Sequence, residues 1–313
     1  MKILFWGTPA FAIPSLRVLG EKGYEVVGVV TRPDQPAGRG RQLTASAIKE
    51  MAKEMGLRLL TPEQPKGNHF LTEARQLEPD LSVVVAYGHI LAKEVLDLPR
   101  LGSLNVHASL LPKLRGAAPI NWAIARGHKE TGISVQRMAL AMDAGPIIHQ
   151  VSEPILPDQT ASELYSRLSQ LGAEALVEAL TFLSAGQVRE VAQDHDAATF
   201  APKVDRDTAR IDWSRTAAEV ALHVRGMDQV PGAWSMLDEK PVKLFRPTLV
   251  GCPDEEMSLA SGLIVRVDPA TGVVVSTGEG CVQFAEVQPS GRRRMPTTDW
   301  ISGRQVQPGG LFE

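Results

Sequence analysis

LSVVVAY, residues 81–87, is an apolar run broken by a single serine. It is too short for a helix, and its β-branched valines fit a strand buried on both faces. Working outward, the same pattern recurs in KILFW (2–6) and EVVGVVT (25–31), while GSLNVH (102–107), TGISVQRM (131–138) and PIIHQVSEPI (146–155) also read as strands. Segments at helical spacing separate the first four: SLRVLGEKG after Pro14, residues 45–55 and residues 69–77. Alternation of this kind predicts an α/β fold with a doubly wound, mostly parallel sheet covered on both faces. Such sheets bind their ligands outside the carboxyl ends of the strands.

Residues 161–186 place Leu164, Leu168, Leu171, Leu176, Leu180 and Leu183 near helical spacing. They predict one amphipathic helix, open to interruption at Gly172, that closes the first domain. The polar run REVAQDHDAATFAPKVDRDTARIDW follows, and residues 190–203 are expected to be a linker between a domain over 1–189 and another over 204–313. In the latter, residues 217–225 fit a short helix. VKLFRPTLV, GLIVRVD, GVVVSTG and CVQFAEVQPS read as closely spaced strands, which predict a small antiparallel β-barrel with a helical turn near Asp299.

Bulk properties exclude several classes. The 313 residues are 43% hydrophobic and 22% charged, and no window approaches a membrane-spanning run. The start, MKILFWGTPAF, lacks the layout of a signal peptide, so a cytoplasmic protein is expected. Cys252 and Cys281 are the only cysteines and have no histidine at metal-ligand spacing, so neither a disulfide framework nor a metal site is suggested. Charge is nearly balanced, 33 Lys+Arg against 36 Asp+Glu, so any polyanion must be held by local patches.

Asn105 and His107 stand two residues apart at the end of a strand, so their side chains share a face at the ligand-binding edge. An amide and an imidazole aimed at one point can stabilise an oxyanion and move a proton. N-x-H alone fits a hydrogen-bonded core histidine as well. Asp143, in the loop MALAMDAGPII at the same edge, could orient the imidazole, although a turn aspartate before Ala-Gly has a purely geometric explanation. SLLP after His107 could line a pocket for a flat ligand or form an ordinary turn. GTPAF replaces the second glycine of a G-x-G-x-x-G dinucleotide loop, which argues against a dehydrogenase. The next loop carries Arg32, Arg39 and Arg41 with two glycines, and fits either a basic loop for a phosphate backbone or a solvated loop.

Together, GTPAFAIPSL, TRPDQPAGRGRQLT, VVVAYGHIL, NVHASLLPKLRGAAPINWAI, TGISVQRM, MDAGPI, ARIDWS, VPGAW and VQPSGRRRM resemble the folate-dependent formyltransferase family, in order through nearly the whole chain. The N-V-H-x-S-L-L-P-x-x-R-G block is specific to formyl-folate enzymes. The PAGRG loop and the arginine-rich block narrow the resemblance to the tRNA branch. It implies a Rossmann-like formyltransferase domain, an OB-like second domain that contacts tRNA, and transfer of the formyl group of 10-formyltetrahydrofolate to the methionine α-amine of initiator Met-tRNA for translation initiation. It further implies catalytic roles for Asn105, His107 and Asp143, folate contacts at Ser109, Leu110, Leu111 and Pro112, and a pocket wall of Val84, Val85, Ala86, Tyr87 and Gly88. tRNA contacts are implied for Arg32, Arg39, Arg41, Arg292, Arg293 and Arg294, with Arg39 at the position of the family's key arginine. No metal and no membrane are implied, and a monomer is expected.

INWAI after Ala118-Pro119 and the DAG form of MDAGPI depart from the tRNA branch and resemble sugar-nucleotide amine formyltransferases. Formyl transfer to a sugar-nucleotide amine is therefore the nearest alternative. Formate release to water and a non-catalytic tRNA-binding role follow it.

Overall fold

Lys2–Gly7 (β1) lies inside a seven-stranded sheet and is buried from Ile3 onward. The computed structural model describes residues 1–37, 42–252, 259–303 and 306–313. Chain order continues through α1 (Ile13–Glu21), β2 (Glu25–Val30), a paired β3 (Gln35–Ala37) and β4 (Gln42–Thr44), α2 (Ala47–Glu54), β5 (Leu59–Leu60) and α3 (Gly67–Arg75). Then come β6 (Leu81–Val85), α4 (Lys93–Leu96), β7 (Ser103–His107), α5 (Pro119–Ala125), β8 (Glu130–Arg137), β9 (Ile147–Pro154) and α6 (Ala161–Ser184).

The sheet runs β5-β2-β1-β6-β7-β8-β9. Its first five strands are parallel, and β8 and β9 continue it antiparallel. The β8–β9 loop, residues 138–146, is shorter than the dozen or so residues a parallel crossover needs, so that pair has to be antiparallel. β6 is buried at every position, as its apolar run requires.

The chain divides into two compact units. The first comprises Met1–Pro119, Glu130–Pro154 and Tyr165–Pro202, and the second Ile120–Lys129, Ile155–Leu164 and Lys203–Glu313. α6 is a single helix without a break at Gly172. A Cβ there would come within 3.2 Å of Val106 Cγ1, so the glycine lets helix and strand approach closely. Of residues 190–203, expected as a linker, 190–202 belong to the first unit. Val191 and Ile147 exchange backbone bonds of 2.9 and 2.8 Å, and Gln193 is buried.

The second unit adds α7 (Ala217–Met227), β10 (Trp234–Leu237), β11 (Lys240–Val250), β12 (Ile264–Asp268), β13 (Gly272–Ser276), β14 (Cys281–Pro289), β15 (Met295–Pro296) and α8 (Thr297–Ser302). Thr216 and Glu219 form a capping box at the start of α7, satisfying two otherwise orphaned N–H groups. The sheet is antiparallel, ordered β10-β11-β14-β13-β12, with β15 on β14, over a core that includes Trp213, Phe284 and Phe312. Among the described residues, its edge strands β10 and β12 do not pair with each other. The C-terminal segment serves both: Met236 and Glu313 exchange backbone bonds of 3.0 and 2.9 Å, and Ile264 bonds to Gly309 and Gly310.

Cys252 and Cys281 form a disulfide, correcting the sequence expectation. Val250, the last residue of β11, pairs with Cys281, the first of β14, so antiparallel pairing brings together sulfurs 29 residues apart in sequence.

Candidate active site

β7 ends at the carboxyl edge of the parallel strands beside β6, with Asn105 opposite Val84. Its other neighbour, β8, sets Gln136 opposite Asn105 and Ser134 opposite His107. Cross-strand partners share a face, so these four polar side chains collect on one patch of the sheet.

Asp143 completes the cluster from the β8–β9 loop, in a left-handed conformation (φ 51°) uncommon for a residue with a Cβ. Its carboxylate accepts from Asn105 Nδ2 at 3.3 Å and Gln136 Nε2 at 3.0 Å on Oδ1, and from the Gly116 N–H at 2.8 Å on Oδ2. The Gly116 bond depends on glycine, because its φ is 118° and a Cβ would stand 2.7 Å from the Ala201 carbonyl oxygen. His107 Nδ1 faces Oδ2 at 3.7 Å, and Nε2 lies 2.9 Å from the Leu114 carbonyl oxygen. A carbonyl only accepts, so Nε2 carries a proton and Nδ1 is the nitrogen left to exchange one. The imidazole is 6% exposed and the carboxylate 13%, so both are largely shielded from bulk water.

The segment after His107 is tied down from below. Ser134 Oγ donates to the Ser109 carbonyl at 2.6 Å and accepts the Leu111 N–H at 3.0 Å. Gln150 Nε2 donates to Ser134 Oγ and to the Leu111 carbonyl. Ser109 and Leu111 are buried, while Leu110 and Pro112 are half-buried, so the latter pair carries the exposed part of this segment.

The model of the formyl transferase family matches residues 1–180, and that of the formyl transferase C-terminal domain matches residues 203–305. The chain belongs to the formyl transferase family. A methionyl-tRNA formyltransferase of Citrifermentans bemidjiense is 42% identical to it over 315 residues, covering 100% of this chain and 96% of that protein. One from Geobacter sulfurreducens is 41% identical over 309 residues, covering 99% and 96%. Among solved structures, HypX from Aquifex aeolicus in complex with tetrahydrofolic acid aligns with a TM-score of 0.66 over 96% of this chain and 47% of its own, at 20% identity, a likeness of fold alone.

The other expected contacts of this formyl transferase divide by burial. Val84 and Val85 are interior residues of β6. Ala86 and Gly88 are exposed with positive φ, and between them the Tyr87 ring turns into the core against Trp6. Burial pushes the Tyr87 phenol up to about 12, with the Arg32 charge acting the other way. The 86–88 stretch therefore offers backbone, not the tyrosine ring, as a wall. Arg32 is half-buried, which limits its reach to a phosphate, and Arg39 and Arg41 lie outside the described residues. Arg292 and Arg293 are exposed. Arg294 is instead committed inside the second unit, to Asp228 at 2.9 Å, to Glu286 and over the Phe245 ring at 3.9 Å.

Among the contributors that escaped the sequence reading are Gln136, the Leu114 carbonyl and Gln193, whose Nε2 donates to the Asp143 and Gly145 carbonyls at 2.9 and 2.7 Å. Gln136 had a signal, as a polar residue in the strand TGISVQRM. The other two had none. Among the described residues, no helix is long and apolar enough to cross a membrane, and no group of three or more His, Cys, Asp or Glu could hold a metal ion.

Proposed function

We propose that this formyl transferase moves the formyl group of 10-formyltetrahydrofolate to the α-amine of methionine esterified to initiator tRNA, supplying formylmethionyl-tRNA for translation initiation. The observation that carries this reading is the convergence of Asn105, His107 and Asp143 at the carboxyl edge, in a chain whose methionyl-tRNA formyltransferase relatives match it end to end.

The neutral amine attacks the formyl carbon, and the C=O electron pair moves onto oxygen. Asn105 Nδ2 gives one hydrogen to Asp143 and keeps the second for that oxygen. His107, when doubly protonated, offers Nδ1–H as the stronger donor while Nε2–H stays on Leu114. Collapse of the intermediate restores C=O and breaks the bond to N10. The proton lost by the amine returns to N10 through Asp143 and Nδ1, directly or by water. The amine is itself the nucleophile, so no covalent enzyme intermediate is required.

Ala86, Gly88, Leu110 and Pro112 would bound the folate on this reading. Arg39, Arg41 and Arg293 would meet the tRNA backbone, with Arg32 contributing less because it is half-buried. The chain would act as a cytoplasmic monomer.

The test is transfer of radiolabelled formyl from 10-formyltetrahydrofolate, with Met-tRNA, an amino-sugar nucleotide or water as acceptor. Label on the methionine of Met-tRNA is expected. Label on the sugar amine, or release as formate alone, overturns the reading.

A further inference from the structure

Arg115 lies eight residues after His107 in the stretch that leads into α5, where the sequence suggests no more than a turn. In the structure it is 6% exposed, and among the described residues no carboxylate forms an ion pair with it. A guanidinium kept from water in this way needs hydrogen-bond acceptors. Gln193 Oε1 supplies one, accepting from Nε at 3.1 Å and Nη2 at 2.7 Å, and His195 Nδ1 lies 3.0 Å from Nη2.

Because arginine only donates, Gln193 must turn its oxygen toward Arg115 and its NH2 away from it. That NH2 has two hydrogens for three acceptors, the Gly145 and Asp143 carbonyls at 2.7 and 2.9 Å and, in the longest contact, the Gln136 Oε1 at 3.2 Å. Gln136, with its oxygen thus engaged, turns its own NH2 to Asp143 Oδ1. The result is one directed chain, Arg115 to Gln193 to Gln136 to the Asp143 carboxylate. Each amide is polarised in the same sense by the buried charge at its head, and such chains strengthen cooperatively.

The 191–201 segment is anchored at both ends. Val191 is bonded to Ile147, the Arg115 N–H donates to the Thr199 carbonyl at 2.9 Å, and the Ala201 N–H donates to the Arg115 carbonyl at 2.7 Å. Thr199 Oγ1 also accepts the Leu114 N–H at 2.9 Å, so the same strap fixes the residue whose carbonyl receives His107 Nε2–H. It therefore braces both partners of the proton-transfer pair.

We propose that Arg115, Gln193 and Gln136 are positioning residues for formyl transfer, a relay that fixes the orientation and loop conformation of the Asp143 carboxylate. This rests on the role given to Asp143 above. Two substitutions separate the relay from plain packing. Gln193→Leu removes every bond of that side chain. Gln193→Glu keeps an acceptor for Arg115, now as an ion pair, but turns an oxygen toward the Asp143 and Gly145 carbonyls.

Steady-state kinetics with both substrates are expected to show kcat lowered at least about tenfold in each variant, because ångström-scale misplacement of reacting groups is costly. KM values for 10-formyltetrahydrofolate and Met-tRNA should stay within about twofold. Wild-type kcat in Gln193→Glu overturns the relay, since that variant satisfies any role limited to anchoring Arg115. A rise in KM at unchanged kcat overturns it too. If Gln193→Leu does not fold, Gln193→Glu decides alone. Asp143→Asn serves as the control: full turnover there means that the role of Asp143 has failed, whereas loss there beside an active Gln193→Glu means that only the relay has.

Discussion

The two units handle buried charge in opposite ways. In the first, the guanidinium of Arg115 is bonded to neutral acceptors, and the nearest carboxylate in its network, Asp143, is reached only through two amides. In the second, Arg294 is closed directly onto Asp228 and Glu286 and roofed by Phe245. A saturated ion pair holds structure and has nothing left to offer a substrate. The Asp143 carboxylate, by contrast, is held by directed donors and faces an imidazole nitrogen across 3.7 Å. On the proposed reading, polarity buried in the first unit serves chemistry, while the Arg294 cluster of the second serves stability.

The largest effect that follows is on turnover. His107→Ala and Asp143→Asn should each lower kcat by about 10²–10⁴, the range of positioned acid–base and oxyanion groups. Near-wild-type kcat in either variant would break the contrast at its stronger end.

Arg294→Ala should do the reverse. Asp228 is 5% exposed, so removing its partner strands a buried carboxylate, and the unfolding free energy should fall by about 2–3 kcal/mol once the partial exposure of the arginine is allowed for. Arg293→Ala, on an exposed neighbour, should change stability by less than about 0.5 kcal/mol while weakening Met-tRNA binding and reducing its salt dependence. Urea unfolding and a salt titration of tRNA affinity read the two. If Arg294→Ala weakens tRNA binding without destabilising the fold, the arginine belongs to the interface after all.

These contrasts also mark how far the sequence could be read. The apolar run at 81–87 and the strand ending at His107 were legible because burial on both faces leaves a compositional trace. Strand periodicity and loop position placed Asn105, His107 and Asp143 at the carboxyl edge, but each also had a purely structural reading, and their roles were implied only by the family resemblance. Gln193 was illegible, since a glutamine in a polar run looks the same whether it faces water or a buried arginine. Arg115 was hidden likewise, and Arg294, one of three adjacent arginines, differs from Arg293 only through its fold partners. The disulfide was missed because strand register, not spacing, brings Cys252 to Cys281. The direction of β9 was available in the length of the 138–146 loop.

The smallest expected effect tests the stability side of the comparison by pH. His223 sits on α7 with Nε2 buried and without a hydrogen-bond partner, and burial pushes its imidazole below the ordinary value of 6.5, the Ala209 carbonyl and Asp212 opposing and Arg215 assisting. The unfolded chain therefore takes up this proton first, and stability rises with pH wherever the unfolded state binds more protons. The contribution is fully present above pH 6.5 and is lost as pH falls through the folded-state value. Replacing the ring by His223→Phe removes that titration, so urea midpoints measured downward from pH 6.5 should fall less steeply than in the wild-type protein. The dependence of kcat on pH should stay as it was, because His223 belongs to the second unit and the Asp143 network to the first. A kcat profile that flattens together with the stability curve would show the two kinds of buried polarity to be coupled rather than divided between the units.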